Sequence, residues 1–432
     1  MLASPVAVDD LLRRILRRAW ATDEPALPDQ FSEPTWRALA DRARETGLSA
    51  ALGAAILREG LPAPQWCLAA LTQDRMRVAA RNGWYQASLH RVLVGLAEAD
   101  VPVILLKGAA LNAAVYGDLS QRPMRDIDLL VAPSDAATAL GVLRAAGFSR
   151  VERATVTHPE LVLRGGWDDL DWEALVAAET QVGLTQAEAP GLTIDLHWQL
   201  LDRPFYRDKA PFERLLASAE PVHIGGAPAW ILGREDWIQH LCAHHSILHP
   251  EEESLTIRWR FDLAQLILQE ADSINWGLLL TETQWRELVL AMQRSLPVVA
   301  REWSLDLPAP VLEALAEIAP GSGEKAAMAC YTGNLRSSWR RRVFDFVRLP
   351  SWRLRARLVW RLIVPSRGYM AERYAEVSAW RRYPHRWWLG LRSVMLASPP
   401  DAPTPDASRQ PLLGGLPIAA DAPKPLARHK HL

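Results

Sequence analysis

The chain has 432 residues, 49% of them hydrophobic, with 49 basic against 50 acidic side chains. That length exceeds one ordinary core and predicts two or three domains, while the balanced charge excludes a global attraction to nucleic acid or an anionic membrane. Cys67, Cys242 and Cys330 are too widely spaced for a disulfide framework or a structural zinc site; with no secretory or membrane-spanning stretch, a cytoplasmic protein with no membrane partner is expected.

Residues 1–98 read as an N-terminal helical region: DDLLRRILRRAW, PTWRALADRARETGLSAALGAAILREG and RNGWYQASLHRVLVGLAEAD repeat apolar residues at three- and four-residue intervals. The period then changes. VPVILLKG is a short apolar run suited to a strand, followed by a turn and the helix AALNAAVYG. DIDLLVAP is a second strand closed by Pro133, with Ser134 placed to cap the helix DAATALGVLRAAG and Gly147 to end it. FSRVERATV is a third strand candidate. A mixed polar segment from His158 to Pro190 separates it from GLTIDLHWQL, whose alternation suits a half-buried strand. Residues 99–203 therefore form a small α/β unit. Helical periodicity returns over 204–395, in REDWIQHLCAHHSIL, RWRFDLAQLILQEA and WRELVLAMQRSL, and residues 396–432 form a Pro-rich tail with the composition of disorder. The fold class is α+β.

Alternate side chains of a strand share a face, so Asp126 and Asp128 point together while Ile127 and Leu129 enter the core. Two close carboxylates repel, and a hard divalent cation, Mg²⁺ or Mn²⁺, resolves the conflict. Asp195, flanked by Ile194 and Leu196, supplies a third acid from another strand. Lys107-Gly108, between a strand and a helix, would let backbone amides and a lysine charge approach phosphate; Arg122 and Arg125 would neutralise more of it. Each has a plainer alternative: a chance Asp-x-Asp, a strand-end lysine, and an Arg122 engaged by a carboxylate of the protein.

With these residues on the page, LLKGAALNAAVYGDLSQRPMRDIDLLV resembles the core of the polymerase-β-like nucleotidyltransferase superfamily, and more closely a bacterial nucleotidyltransferase family usually described as uncharacterised. Lys107, Gly108, Leu111, Tyr116, Arg122, Asp126, Asp128 and the Asp195-Leu196-His197-Trp198 strand carry the resemblance, and EDWIQHLCAHHSILH and RWRFDLAQLI are similar to the family's helical portion. It implies a small mixed-sheet nucleotidyltransferase core flanked by N-terminal and C-terminal helical regions. It implies metal-dependent transfer of an NMP from an NTP to a hydroxyl, with release of pyrophosphate. Asp126, Asp128 and Asp195 would be catalytic metal ligands, and Lys107, Gly108, Ala109 and Arg122 would hold the nucleotide. The acceptor would be a small molecule, peptide or protein rather than nucleic acid.

His240 and His244 stand four apart on one helix, which would suit a zinc pair, the acceptor side of the cleft, or structural histidines; His197 shares a face with Asp195 and is either on the acceptor side or structural. Between Arg336 and Arg392 lie 15 arginines, three acidic residues and six tryptophans. This tract fits RNA contact by charge and stacking, but a helical surface with core tryptophans and solvated or cation–π arginines is preferred. Two other functions stay open: toxin-like transfer to RNA or tRNA, and, because the turn reads Gly108-Ala109 where better-known members carry Gly-Ser or Gly-Gly, a non-catalytic nucleotide-binding scaffold.

Overall fold

The computed structural model describes residues 5–21, 24–151, 156, 158–166, 169–186, 191–248, 253–332 and 338–395. They belong to two compact units, 1–375 and 376–432. The first unit opens with α1 (Pro5–Arg17), α2 (Glu33–Thr46), α3 (Ser49–Glu59) and the 34-residue α4 (Gln65–Glu98). Ser32 caps α2 by accepting the Thr35 amide, and Gly47 ends it in the left-handed conformation at φ +74°. These helices bury Leu12, Ile15, Trp36, Leu39 and Leu52, the three- and four-residue spacing seen in the sequence.

The sheet strands follow: β1 (Ile104–Leu105), then α5 (Lys107–Leu111) continuing as a π-helical turn over Asn112–Tyr116, β2 (Ile127–Leu130), α6 (Ala136–Ala145) and β3 (Phe148–Val151). A side excursion, α7 (Pro159–Val162), β4 (Leu163–Gly166), β5 (Asp169–Leu170) and α8 (Trp172–Ala178), leads to β6 (Gln181–Gln186) and β7 (Thr193–His197). After α9 (Phe212–Ser218) the hairpin β8 (Glu220–Ile224) and β9 (Ala227–Ile231) completes a seven-stranded sheet of order β3-β6-β7-β2-β1-β9-β8. The sheet is mixed: β2 runs parallel to β7 and β1 parallel to β9, the other pairs being antiparallel. The long helix α4 packs on β9 and α6.

Helices α10 (Arg234–Ala243, continuing as a π-helical turn over His244–Leu248), α11 (Glu253–Glu270), α12 (Trp276–Trp285), α13 (Val289–Glu302), α14 (Ala309–Glu317), α15 (Ser322–Thr332), α16 (Ser338–Phe346), α17 (Trp352–Ile363) and α18 (Arg367–Arg373) follow. They are not a separate body from the first helices. Helix α11 packs on α2, and Trp20 Nε1 donates to the Trp303 carbonyl at 2.7 Å. One apolar core runs from Val8 to Leu358, so the fold is α+β with helical flanks on both sides of the sheet. The second unit contributes α19 (Arg382–Met395).

Four details differ from the sequence reading. Strands β8 and β9 lie beyond residue 203, in the stretch read as helical, and turn at Gly225-Gly226, both at positive φ. Strand β6 emerges from the segment read as polar. Asp135, not Ser134, sits at the start of α6, and the Ser134 hydroxyl donates to the Asp135 carboxylate at 3.3 Å. In the arginine tract, Trp352 and Trp360 are 71% and 60% exposed, because α17 buries only Leu354 and Leu358 and turns these tryptophans away from the core. Trp380, Trp387 and Trp388 of the second unit are exposed as well. The proline-rich 396–432 stretch lies outside the described residues.

A Cβ on Gly47 would stand 2.5 Å from Pro123 Cγ, so this helix end touches the loop that carries Arg122. Gly47→Ala combines positive-φ strain with that clash and is expected to lower stability by at least about 1 kcal/mol, read from the urea midpoint; an unchanged midpoint contradicts the contact.

Candidate active site

Strands β2 and β7 pair in register, Ile127 with Ile194, Asp128 with Asp195, Leu129 with Leu196. Alternation on each strand therefore sets the two carboxylates side by side while the flanking aliphatic side chains fill the core. Asp128 is 1% exposed. Its Oδ1 accepts from Lys107 Nζ at 2.6 Å and from His197 Nε2 at 3.0 Å, whereas its buried Oδ2 has no hydrogen-bond partner. Burial alone would raise the Asp128 pKa, but Lys107 and His197 outweigh it and hold this carboxylate well below the usual aspartate range. Lys107 mirrors this: burial opposes its charge, and Asp128 with Asp126 holds it above the ordinary lysine value.

Asp128, Asp195 and His197 form the close cluster, with one potential ligand atom from each lying within 4.8 Å of the others. Asp126 is outside it. It immediately precedes β2 and lines the adjoining cleft together with Asp195; burial and the repulsion of Asp128 raise its pKa. The sequence reading, which put Asp126 in the strand beside Asp128, is corrected on this point, and His197 moves closer to the acids than expected.

Lys107 opens α5 at φ +44°, a costly conformation for a non-glycine residue, and from there reaches Asp128. Gly108 lines the cleft, and a further constraint acts on it. A Cβ there would meet Arg122 Nη1 at 2.7 Å, so the glycine makes room for an arginine. Arg122, 7% exposed, is engaged by Asp262 of α11: its Nε lies 3.0 Å from each carboxylate oxygen, and Tyr116 donates to the same carboxylate at 2.7 Å. The plainer alternative for Arg122, a carboxylate partner within the protein, is the one observed. Ala109 is buried in the first turn of α5 and, unlike Gly108, does not line the cleft.

The loop between α5 and β2 is pinned from beneath. Asn82 of α4, fully buried, donates to the Leu119 and Arg122 carbonyls at 2.7 Å and accepts the Met124 amide at 3.1 Å. Tyr85 donates to the Arg125 carbonyl at 3.0 Å, and Asn112 to that of Arg122 at 3.0 Å. These positioning residues were invisible in the sequence, where Asn82 and Tyr85 are two polar groups on a long helix.

Above the acids opens a cleft of roughly 290 Å³, lined by Lys107, Gly108, Asp126 and Asp195 on the sheet side and by His244, Trp259 and Arg258 on the helical side. His244 lies beside Trp259, ring centroids 5.4 Å apart, and stacks on His240 at 6.2 Å. His240 is 1% exposed, and neither ring nitrogen has a hydrogen-bond partner; burial, with Lys107 nearby, lowers its pKa to about 3. The histidine pair is not among the three-ligand groups of the described residues.

The in-register acids and the cleft beside them mark this as the candidate active site. Residues 32–303 match the family described as uncharacterised nucleotidyltransferase, and the chain belongs to that family. No curated protein and no solved structure matches it.

Because His240 is held neutral in the fold and would take up a proton near pH 6.5 when unfolded, its neutral burial contributes fully above that pH. The contribution falls as pH drops toward 3, with a slope approaching about 1.4 kcal/mol per unit. His240→Leu is expected to flatten the urea-measured stability profile between pH 6 and 4 by about that slope; an unchanged profile contradicts a neutral buried His240.

Proposed function

We propose that the protein is a Mg²⁺- or Mn²⁺-dependent nucleotidyltransferase of the polymerase-β-like superfamily, drawing on the cytoplasmic NTP pool and transferring an NMP to a hydroxyl of a small molecule, peptide or protein. The observation that carries this reading is the in-register pair Asp128–Asp195, of which Asp195 lines the cleft, in a chain of a nucleotidyltransferase family.

What supports a divalent cation at the acids is the donor set itself. Asp128 Oδ2 is buried with no hydrogen-bond partner, and Asp195 and His197 bring further ligand atoms within 4.8 Å. Oxygen-rich sets of this kind suit hard cations. Asp128 and Asp195 would hold the metal, with Asp126 at the cleft edge as a further ligand. Bound there, it would neutralise phosphate charge and stabilise the attacking and leaving oxygens.

The chain's own residues have distinct parts. In the reaction, the acceptor oxygen forms a bond to the α-phosphorus while the bond from that phosphorus to the bridging oxygen of the β-phosphate breaks, and pyrophosphate leaves. Asp195, less buried than Asp128, faces the cleft and would take the acceptor proton. Lys107 balances Asp128 and keeps it ionised. The Arg122–Asp262 pair fixes the wall against which the nucleotide lies, and little covalent chemistry is asked of the protein.

The exposed Trp352 and Trp360, among arginines, favour a second reading in which RNA is the acceptor. Wild-type protein incubated with α-labelled NTPs, Mg²⁺ and cell extract is expected to label a non-nucleic-acid species; label that disappears with ribonuclease selects the RNA reading. Asp195→Asn is expected to lower transfer about a thousandfold, the several kcal/mol assigned to metal-assisted charge stabilisation, with the circular dichroism unchanged. Transfer within tenfold of wild type would remove Asp195 from the mechanism.

A further inference from the structure

Lys107 and Gly108 leave a problem. Lys107 Nζ is bound to Asp128 at 2.6 Å, and the space beside Gly108 holds the Arg122 guanidinium. Arg122 in turn spends its charge on Asp262. The turn that sequence reasoning assigned to phosphate is thus occupied by the protein's own charges.

Arg258 is not. It projects from α11 one helical turn before Asp262, lines the cleft and is only 7% exposed. Among the described residues it has no hydrogen bond or close ion pair, and its Nε is buried without a partner. The acid nearest in sequence, Asp262, is already taken by Arg122 and Tyr116. A guanidinium buried this far with no anion hydrogen-bonded to it is costly, and here burial and the repulsion of Arg122 outweigh the attraction of Asp262 and lower its pKa to about 10. In the cleft lining, Lys107 and Arg122 are engaged by Asp128 and Asp262, whereas Arg258, beside the exposed Arg125, has no hydrogen-bonded carboxylate among the described residues.

Resting on the nucleotidyltransferase reading, we infer that Arg258 is the principal protein ligand of the nucleotide's pyrophosphate portion, which completes its missing ion pair, and that the Lys107-Gly108-Ala109 turn is not. An arginine suits this place because its planar fork matches two phosphate oxygens at once, which a lysine cannot do. The same group would hold the pyrophosphate after the bond to the α-phosphorus has broken, so Arg258 is a specificity residue for polyphosphate length as well as an anchor.

The test uses the full chain without added divalent metal, at constant ionic strength, with inorganic pyrophosphate, tripolyphosphate and orthophosphate as titrants in calorimetry. Wild type is expected to bind pyrophosphate and tripolyphosphate more tightly than orthophosphate. Arg258→Gln is expected to weaken pyrophosphate about 10- to 100-fold, the range for losing charge-assisted hydrogen bonds, and Arg258→Lys by an intermediate factor. Should Arg258→Gln fail to fold, Arg258→Lys decides by itself: binding equal to wild type overturns the inference. The inference is also overturned if Arg258→Gln is folded and binds as wild type does, or if wild type shows no preference for pyrophosphate over orthophosphate. These outcomes are separable from the enzymatic reading. Pyrophosphate binding that depends on Arg258 in a protein that transfers no nucleotide would sink the transferase proposal alone, and transfer by wild type that survives in Arg258→Gln with unchanged KM would sink this inference alone.

Discussion

Two carboxylates set side by side by strand register are the constraint around which the rest is arranged. Asp128 and Asp195 occupy one row of the parallel β2–β7 ladder, and a pair of like charges about 4 Å apart near a protein surface costs on the order of 4 kcal/mol. The fold answers at one oxygen: the Lys107 ammonium and the His197 ring both engage Asp128 Oδ1. Oδ2 is left without such a partner. A cation bound there, as proposed, would supply the partner that Oδ2 lacks.

The second organising contact crosses from the sheet unit to the helices. Arg122 and Asp262 are 140 residues apart in sequence and meet with both carboxylate oxygens at 3.0 Å from the arginine Nε. This pair ties the loop leading into β2 to α11, and α11 in turn places Arg258 and Trp259 over the acids. The N-terminal helices join in through Asn82 and Tyr85, which hold the loop carbonyls. The helical regions thus build the site's upper wall and its foundation, and the family match, residues 32–303, runs from the cap of α2 to just after α13 and so takes in both.

How much was legible in the sequence follows from how local each signal is. The strands bearing Asp128 and Asp195 announced themselves through apolar alternation, and the helices through three- and four-residue spacing. Strand β6 was hidden because Gly183 and the polar glutamines and threonine of QVGLTQ blur its pattern, although its interior is buried. The β8–β9 hairpin is marked by Gly225-Gly226 between alternating residues, but it sits inside a stretch of helical periodicity. Lys107 and Gly108 read as a phosphate turn, yet the groups that meet them, Asp128 and Arg122, come from elsewhere in the chain. Arg258 carried no signal of its own: arginine on a helix is ordinary, and only the three-dimensional engagement of Asp262 by Arg122 shows that it lacks a partner.

The central claim, that Asp128 and Asp195 form one cation site, is tested most directly by electron paramagnetic resonance titration of Mn²⁺ into the folded protein with a non-hydrolysable NTP present. The account predicts saturable binding to wild type that is lost or weakened at least about tenfold in both Asp128→Asn and Asp195→Asn, in line with the loss of a direct carboxylate ligand. Mn²⁺ affinity equal to wild type in both variants would contradict it.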